Sequence, residues 1–277
     1  MRIGWHIGLT EHGGERLEKA AKLWPILREH AAHVVNPGTN VELVFSPKPP
    51  LSYTHPFLRG VNDVSVVQEI MQCEKDGFDG VMIGASADPG VYEARSAVKM
   101  PVVGSTESAL AFSTFIGRRA GIICITVHGD PLGLAYVRGI EGLAQKYGHR
   151  AHLLEHRPIR PIAKTAEEFF RCFDKAIDGD CDELMSGIQA VMKDFARDGA
   201  DVLITANQFT GAVMRKWGQS FMSPDGLPFI DNVVIGLKTV ETLVSLRKSM
   251  GWQKSEAGDF ASIPANKLAA IAHLLPK

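Results

Sequence analysis

"DGFDGVMIGASADPG" (residues 76–90) reads as a strand that ends in a polar, glycine-flanked turn, and "DGADVLITANQFTG" (198–211) repeats the plan 122 positions later. Asp76-Gly77, Asp79 and Ala85 fall on Asp198-Gly199, Asp201 and Asn207. Each copy is followed by a helical stretch, then Pro and a short strand, in "MPVVGSTESALAF" (100–112) and "LPFIDNVVIGLKTVETL" (227–243). The repeat predicts two similar α/β lobes. In parallel sheets ligands sit at the carboxyl ends of the strands, so facing lobes would bring four strand tips around one cleft.

Short apolar runs alternate with longer helical patterns along the chain, the signature of βα units around parallel sheets. The expected strands are 3–9, 41–45, 80–83, 102–104, 121–127, 150–154, 202–205 and 229–230. Helices are expected at 15–34, 64–76, 92–98, 107–115, 132–147, 166–176, 182–198, 233–250 and 265–275. Pro25 should kink or restart the first. The proline-rich stretches 47–57 and 156–164 read as loops. The expected architecture is two similar Rossmann-like lobes with parallel sheets, related by pseudo-twofold symmetry, with a cleft between them.

The 277 residues suit two lobes, and 45% apolar with 22% charged content supports a packed core. A net charge of −1 shows no basic stripe for nucleic acid. No apolar run reaches the ~20 residues of a membrane helix, and the N-terminus lacks the pattern of a signal peptide. The four cysteines, Cys73, Cys124, Cys172 and Cys181, have no CxxC or metal-ligand spacing. Cys73 and Cys172 fall in helices, Cys124 in a strand and Cys181 in a surface turn. A reduced cytoplasmic setting and a small-molecule partner are expected, with no nucleic acid or membrane.

Each tip offers polar chemistry. "ASADPG" presents Ser86, Asp88 and backbone N–H groups before a helix, suited to a carboxylate or a developing enolate oxygen; Asp88-Pro89-Gly90 could instead simply cap that helix. "TANQFTG" presents Thr205, Asn207, Gln208 and Thr210, which can hydrogen-bond a substrate but cannot move protons near neutral pH. "GWHIGLTEHGG" (4–14) presents His6, Thr10, Glu11 and His12, each histidine an acid–base or a structural residue. "TVHGDP" (126–131) presents Thr126, His128 and Asp130, and the two-residue spacing lets Asp130 orient His128. No HxH or HExxH spacing fixes a metal site, and no GxxxxGK[ST] or GxGxxG fingerprint occurs. Neither a metal nor a cofactor is expected.

With these motifs the chain resembles the aspartate/glutamate/hydantoin racemase superfamily, nearest to its hydantoin-racemase and arylmalonate-decarboxylase-like branch. The resemblance rests on "VELVFSPKPP" (41–50), "FDGVMIGASADPGVYEARSAVKMPVVGSTESALAF" (78–112), "ADVLITANQFTG" (200–211) and "LPFIDNVVIGLKTVETL". It implies two lobes, 1–115 plus 228–277 and 116–227, and a cofactor-free isomerase or lyase. It also implies a pair of cysteines facing each other across the cleft, one thiolate removing an α-proton while the other thiol donates. Here those positions hold Ala85 and Asn207, so two-thiol racemisation is not available.

The expected function is therefore cofactor-independent chemistry on a small carboxylate or cyclic amide. It would run through an enolate-like intermediate in an interdomain oxyanion site. His128, His6, Asp130 and Asn207 are the catalytic candidates. Ala85, Ser86, Asp88, Thr10, Thr126, Gln208 and Thr210 are the substrate-binding candidates. A hydrolase, metal-assisted or not, and a non-catalytic small-ligand-binding protein are the alternatives on the same scaffold. A homo-oligomer is expected.

Overall fold

A computed structural model describes residues 1–12, 19–48, 55–126 and 131–271. It contains two four-stranded parallel sheets. The first is built from β1 (Arg2–His6), β2 (Asn40–Val44), β3 (Gly80–Ile83) and β4 (Val102–Gly104), in the order β2-β1-β3-β4. The second is built from β5 (Ala120–Thr126), β6 (Ile159–Ala163), β7 (Val202–Ala206) and β8 (Phe229–Ile230), in the order β6-β5-β7-β8. The strand order is the same in both, and the registers correspond. Ile3 faces Gly80 in one sheet and Ala120 faces Val202 in the other, with Gly80 and Val202 again 122 positions apart.

The sameness extends to single hydrogen bonds. Gly77 and Gly199 both take positive φ, +79° and +84°, where a helix turns back into a strand. Phe78 N then bonds Cys73 O at 3.1 Å, and Ala200 N bonds Phe195 O at 3.0 Å. Asp79 accepts from Arg2 N at 2.8 Å, and Asp201 accepts from Arg118 N and Arg119 N, both at 2.8 Å. Each carboxylate ties off the N-terminal end of the first strand of its own sheet.

Helices cover both sheets: α1 (Ala20–Val34), α2 (Pro56–Lys75), α3 (Val91–Ala97), α4 (Ser105–Ile116), α5 (Pro131–Lys146), α6 (Ala166–Ile177), α7 (Asp182–Arg197), α8 (Thr210–Lys216), α9 (Asn232–Met250) and α10 (Ala265–Ile271). β3 and β7 are buried along their whole length, as central strands covered on both faces require. One apolar cluster runs through both lobes: Ile3, Trp5 and Ile7 of the first sheet join Leu23 and Leu27 of α1, Phe169 and Phe173 of α6, and Phe209. Full burial of each such side chain contributes about 1.5–3 kcal/mol, so the lobes are joined by a shared core. None of the helices among the described residues is long and apolar enough to cross a membrane.

Four expectations are corrected. The strand expected at 150–154 is a 3₁₀ turn, Arg150–His152, followed by a single bridge from Leu153 to Ala120. The fourth strand of the second sheet comes from the proline-rich stretch expected to be a loop, because β6 is an edge strand and Pro161 can sit there without leaving a ladder partner unsatisfied. α1 does not restart at Pro25 but is continuous through it: Pro25 and Ala21 are both exposed, so the carbonyl that the ring frees from helical bonding faces water. Cys181, expected in a surface turn, is buried at the start of α7. The start expected for the first helix, 15–18, lies outside the described residues.

β8 falls in the stretch 228–277 expected to belong to the first lobe, yet it is bonded to β7. The chain re-enters the first lobe through α9, where Val233, Leu237, Val240 and Val244 join the shared core.

Candidate active site

The carboxyl ends of β1, β3 and β7 meet at the seam between the lobes. Gln208, just past β7, spans it. Its Nε2 donates to Ile7 O at 2.8 Å, and its Oε1 accepts from Trp5 Nε1 at 3.2 Å. Gly84, just past β3, lies against the same group: a Cβ there would come 2.2 Å from Gln208 Oε1 and 2.3 Å from Trp5 Nε1. Only glycine lets the two tips approach this closely. Ala85 and Asn207, adjoining these residues in sequence, share the seam; Ala85 is half-buried and Asn207 is buried.

A second link comes from Asn232, the first residue of α9. Its Nδ2 donates to Ser105 Oγ at 3.0 Å and Ser86 Oγ at 3.3 Å, and its Oδ1 accepts from Thr205 Oγ1 at 3.4 Å. Ser86 therefore uses a lone pair on Asn232, and its hydroxyl donates to no acceptor among the described residues.

Asn207 is held from one side. Its Oδ1 accepts from Phe209 N at 2.8 Å, Thr210 N at 2.9 Å and Thr210 Oγ1 at 3.1 Å. Three donors on one oxygen settle the orientation of the amide, so Nδ2 points away, with no acceptor among the described residues. Thr210 spends its own hydroxyl on this bond.

Asp88 has positive φ, +44°, and its carboxylate is engaged on every side. Oδ1 accepts from Thr106 N at 3.1 Å; Oδ2 accepts from Glu107 N at 2.8 Å and Tyr147 OH at 3.1 Å. It caps α4, not the α3 that follows it directly, and ties β3's tip to a residue of the second lobe. A Cβ on Gly104 would lie 2.4 Å from this carboxylate. Burial pushes the Asp88 carboxyl up to about 7, against the pull of those amide donors. Asp88 thus shapes the tip that carries Ala85 and Ser86.

Of the histidines, His6 ends β1 with its ring fully buried and Nε2 2.6 Å from Glu69 Oε2 of α2. His12 is exposed, and Thr10 is half-buried on the same tip. Thr126 ends β5, while His128 and Asp130 lie outside the described residues. None of the four cysteines forms a disulfide, and all are buried. Burial pushes the Cys73 and Cys172 thiols up to about 11, which disfavours the thiolate. Among the described residues no group of three or more His, Cys, Asp or Glu is placed to hold a metal ion.

A cavity of about 430 Å³ lies elsewhere, between α3, α4 and α9, lined by Tyr92, Arg95, Glu107, Phe112, Tyr147 and Leu243. Arg95 and Glu107 are paired there at 2.5 Å. Val103 of β4 also lines it, and Glu107 and Tyr147 connect its wall to Asp88.

Sequence reasoning missed Trp5, Ser46, Glu69, Tyr147 and Asn232. For Glu69 a signal existed. Asn62, Val66, Ile70 and Cys73 form the buried stripe of α2, and position 69 lies at its edge, three after Val66 and four before Cys73. An acid on such a stripe needs a buried partner.

The chain matches the Asp/Glu/Hydantoin racemase family over residues 25–240. A hydantoin racemase from Pseudomonas sp. (strain NS671) is 27% identical over 225 residues, covering 79% of this chain and 80% of that protein. Among solved structures, allantoin racemase from Klebsiella pneumoniae superposes with a TM-score of 0.70 at 21% identity, over 95% of this chain and 94% of the other. A mutant of arylmalonate decarboxylase gives 0.50 at 13% identity, over 94% and 97%. At these identities the structural likenesses speak for the two-lobed fold.

Proposed function

Since the chain belongs to the Asp/Glu/hydantoin racemase family, and is an enzyme of isomerase or lyase type, we propose that it acts without a cofactor on a small cyclic amide or carboxylate held at the seam. The observation that carries this reading is the fixed amide of Asn207, at the position where the resemblance implies a thiol, with Nδ2 unbonded among the described residues.

A substrate carbonyl next to the reacting carbon would accept from Asn207 Nδ2 and from Ser86 Oγ. When the α-proton leaves, the electron pair moves onto that oxygen, and both hydrogen bonds strengthen. Each such donor contributes about 3 kcal/mol in the transition state. Ala85 leaves room for the ring. Thr10 and Thr126, on the neighbouring tips, supply further contacts, while Gln208 and Thr210 hold the second-lobe tip in place. Protons are handled by His6 in the first lobe and by His128, oriented by Asp130, in the second, one on each face of the flat carbon centre.

The relatives' activity names the probe, a single enantiomer of a 5-substituted hydantoin in D2O. Proton NMR should show loss of the C5 proton and chiral chromatography loss of optical purity, both faster than in buffer alone. Asn207→Ala should lower kcat by about 100-fold to 1000-fold, the usual cost of one oxyanion donor. Turnover equal to wild type in that variant would remove Asn207 from the chemistry.

A further inference from the structure

His6 has one nitrogen accounted for and one not. Nε2 lies 2.6 Å from Glu69 Oε2, while Nδ1, fully buried, has no partner among the described residues. A buried polar atom left unpaired costs about 1–3 kcal/mol, so its presence calls for an explanation. Glu69 Oε2 also accepts from Ser46 Oγ at 2.8 Å. Both neighbours donate to one carboxylate oxygen, which places the ring's proton on Nε2 and leaves Nδ1 with a lone pair. β1 and β3 set the ring's position: His6 faces Ile83 in register, and Gly84 N donates to His6 O at 2.9 Å. The His6 backbone therefore lies beside Ile83, two residues before Ala85.

We propose that Glu69 and Ser46 are positioning residues that hold His6 in the Nε2–H form, so that Nδ1 accepts the substrate's α-proton in the first lobe. This rests on the seam being the active site. In the step the α C–H bond breaks, its electron pair passes to the adjacent carbonyl as an enolate, and an N–H bond forms at Nδ1. The imidazolium so formed faces the Glu69 carboxylate. Return of the proton from Nδ1 restores the starting enzyme; donation from the opposite lobe instead leaves His6 protonated and the donor deprotonated, and proton exchange with water then resets both, with no oxidant or reductant. The chain thus replaces a thiol on the tip with an imidazole one strand away, steadied from α2.

The test combines a spectroscopic and a kinetic readout on the whole protein. Long-range 1H–15N correlation on histidine-labelled protein, with His6 assigned through the His6→Ala variant, should show Nε2 protonated and Nδ1 unprotonated. Glu69→Gln should lower kcat on the hydantoin probe roughly 100-fold with KM nearly unchanged. Glu69→Asp should recover part of the loss, and Ser46→Ala should cost several-fold. A proton on Nδ1 in the wild type, or wild-type kcat in a folded Glu69→Gln, overturns the proposal; should that variant fail to fold, the wild-type spectrum decides. Failure of the underlying reading shows differently: the wild type itself would exchange no C5 proton while His6 kept the Nε2–H form.

Discussion

The two lobes agree at one end of their sheets and part company at the other. At the amino ends, Asp79 and Asp201 make the same bonds to the first strands, and the glycine turns before them match bond for bond. At the carboxyl ends, Gly84 in the first lobe corresponds to Ala206 in the second, and Ala85 to Asn207. The lower ends solve a problem every βα unit has, closing a helix and starting a strand, and both lobes keep one solution. The tips face each other and cannot be alike, because each must leave space for what the other sends across. Gly84 is bare because Gln208 and Trp5 fill the place of its side chain; Ala206 carries its methyl in the core.

Substitutions at corresponding positions put that contrast to the test. The largest effect is expected for Gly84→Ala, which drives a methyl into the Gln208 and Trp5 bonds; overpacking of this kind costs about 1–3 kcal/mol, and the upper end is expected because polar atoms receive the clash. Ala206→Gly, the reverse change in the other lobe, should cost no more than ~1 kcal/mol. Urea melts of the two variants would measure the asymmetry, and equal losses would refute it.

Next comes Asp88. Its folded carboxyl, raised to about 7 by burial, binds a proton more tightly than the unfolded chain does. Its contribution to stability is therefore full below about pH 4 and falls as pH rises through 7, by about 2 kcal/mol between pH 5 and 8. Asp88→Asn lacks this titration, so the wild type should lose ground relative to the variant across that window. Chemical denaturation at the two pH values tests it; a gap that widens in the wild type's favour would contradict the assignment.

The smallest effect is expected at the shared ends. Asp79→Asn and Asp201→Asn should each cost about 1 kcal/mol, because charge-assisted bonds to strand amides are lost at partly exposed sites. Thermal melts of the pair should agree, and a large difference would mean that the matching bonds do unequal work.

The same division governs what could be read from the chain. β3, β4 and β8 appear at their expected bounds, because short apolar runs between turn residues have few alternatives. The repeat was visible as spacing, since glycine turns and capping aspartates act locally. β6 was missed because prolines masked an edge strand, a role that depends on what lies beside it. α8 was expected only as an unbounded helix after the second copy of the repeat, because its seven residues show too little periodicity to set its ends. At the site, the polar character of the tips was legible in Ser86, Asn207 and His6. Their partners were not: Gln208 reaches Trp5 and Ile7 across some two hundred residues, and Glu69 reaches His6 across sixty-three. Asp88 read as a possible cap for α3 and caps α4, a choice made by tertiary packing.

The chemistry proposed at the seam of this racemase-family chain uses amides, a hydroxyl and imidazoles, and no thiol. Its sharpest test is a variant in which Cys73, Cys124, Cys172 and Cys181 are all replaced by alanine, once circular dichroism shows that it is folded. If the strand tips alone carry the reaction, this variant should exchange the C5 proton of the hydantoin probe in D2O at close to the wild-type rate. Loss of exchange in the folded cysteine-free protein, with the wild type active, would contradict thiol-free chemistry.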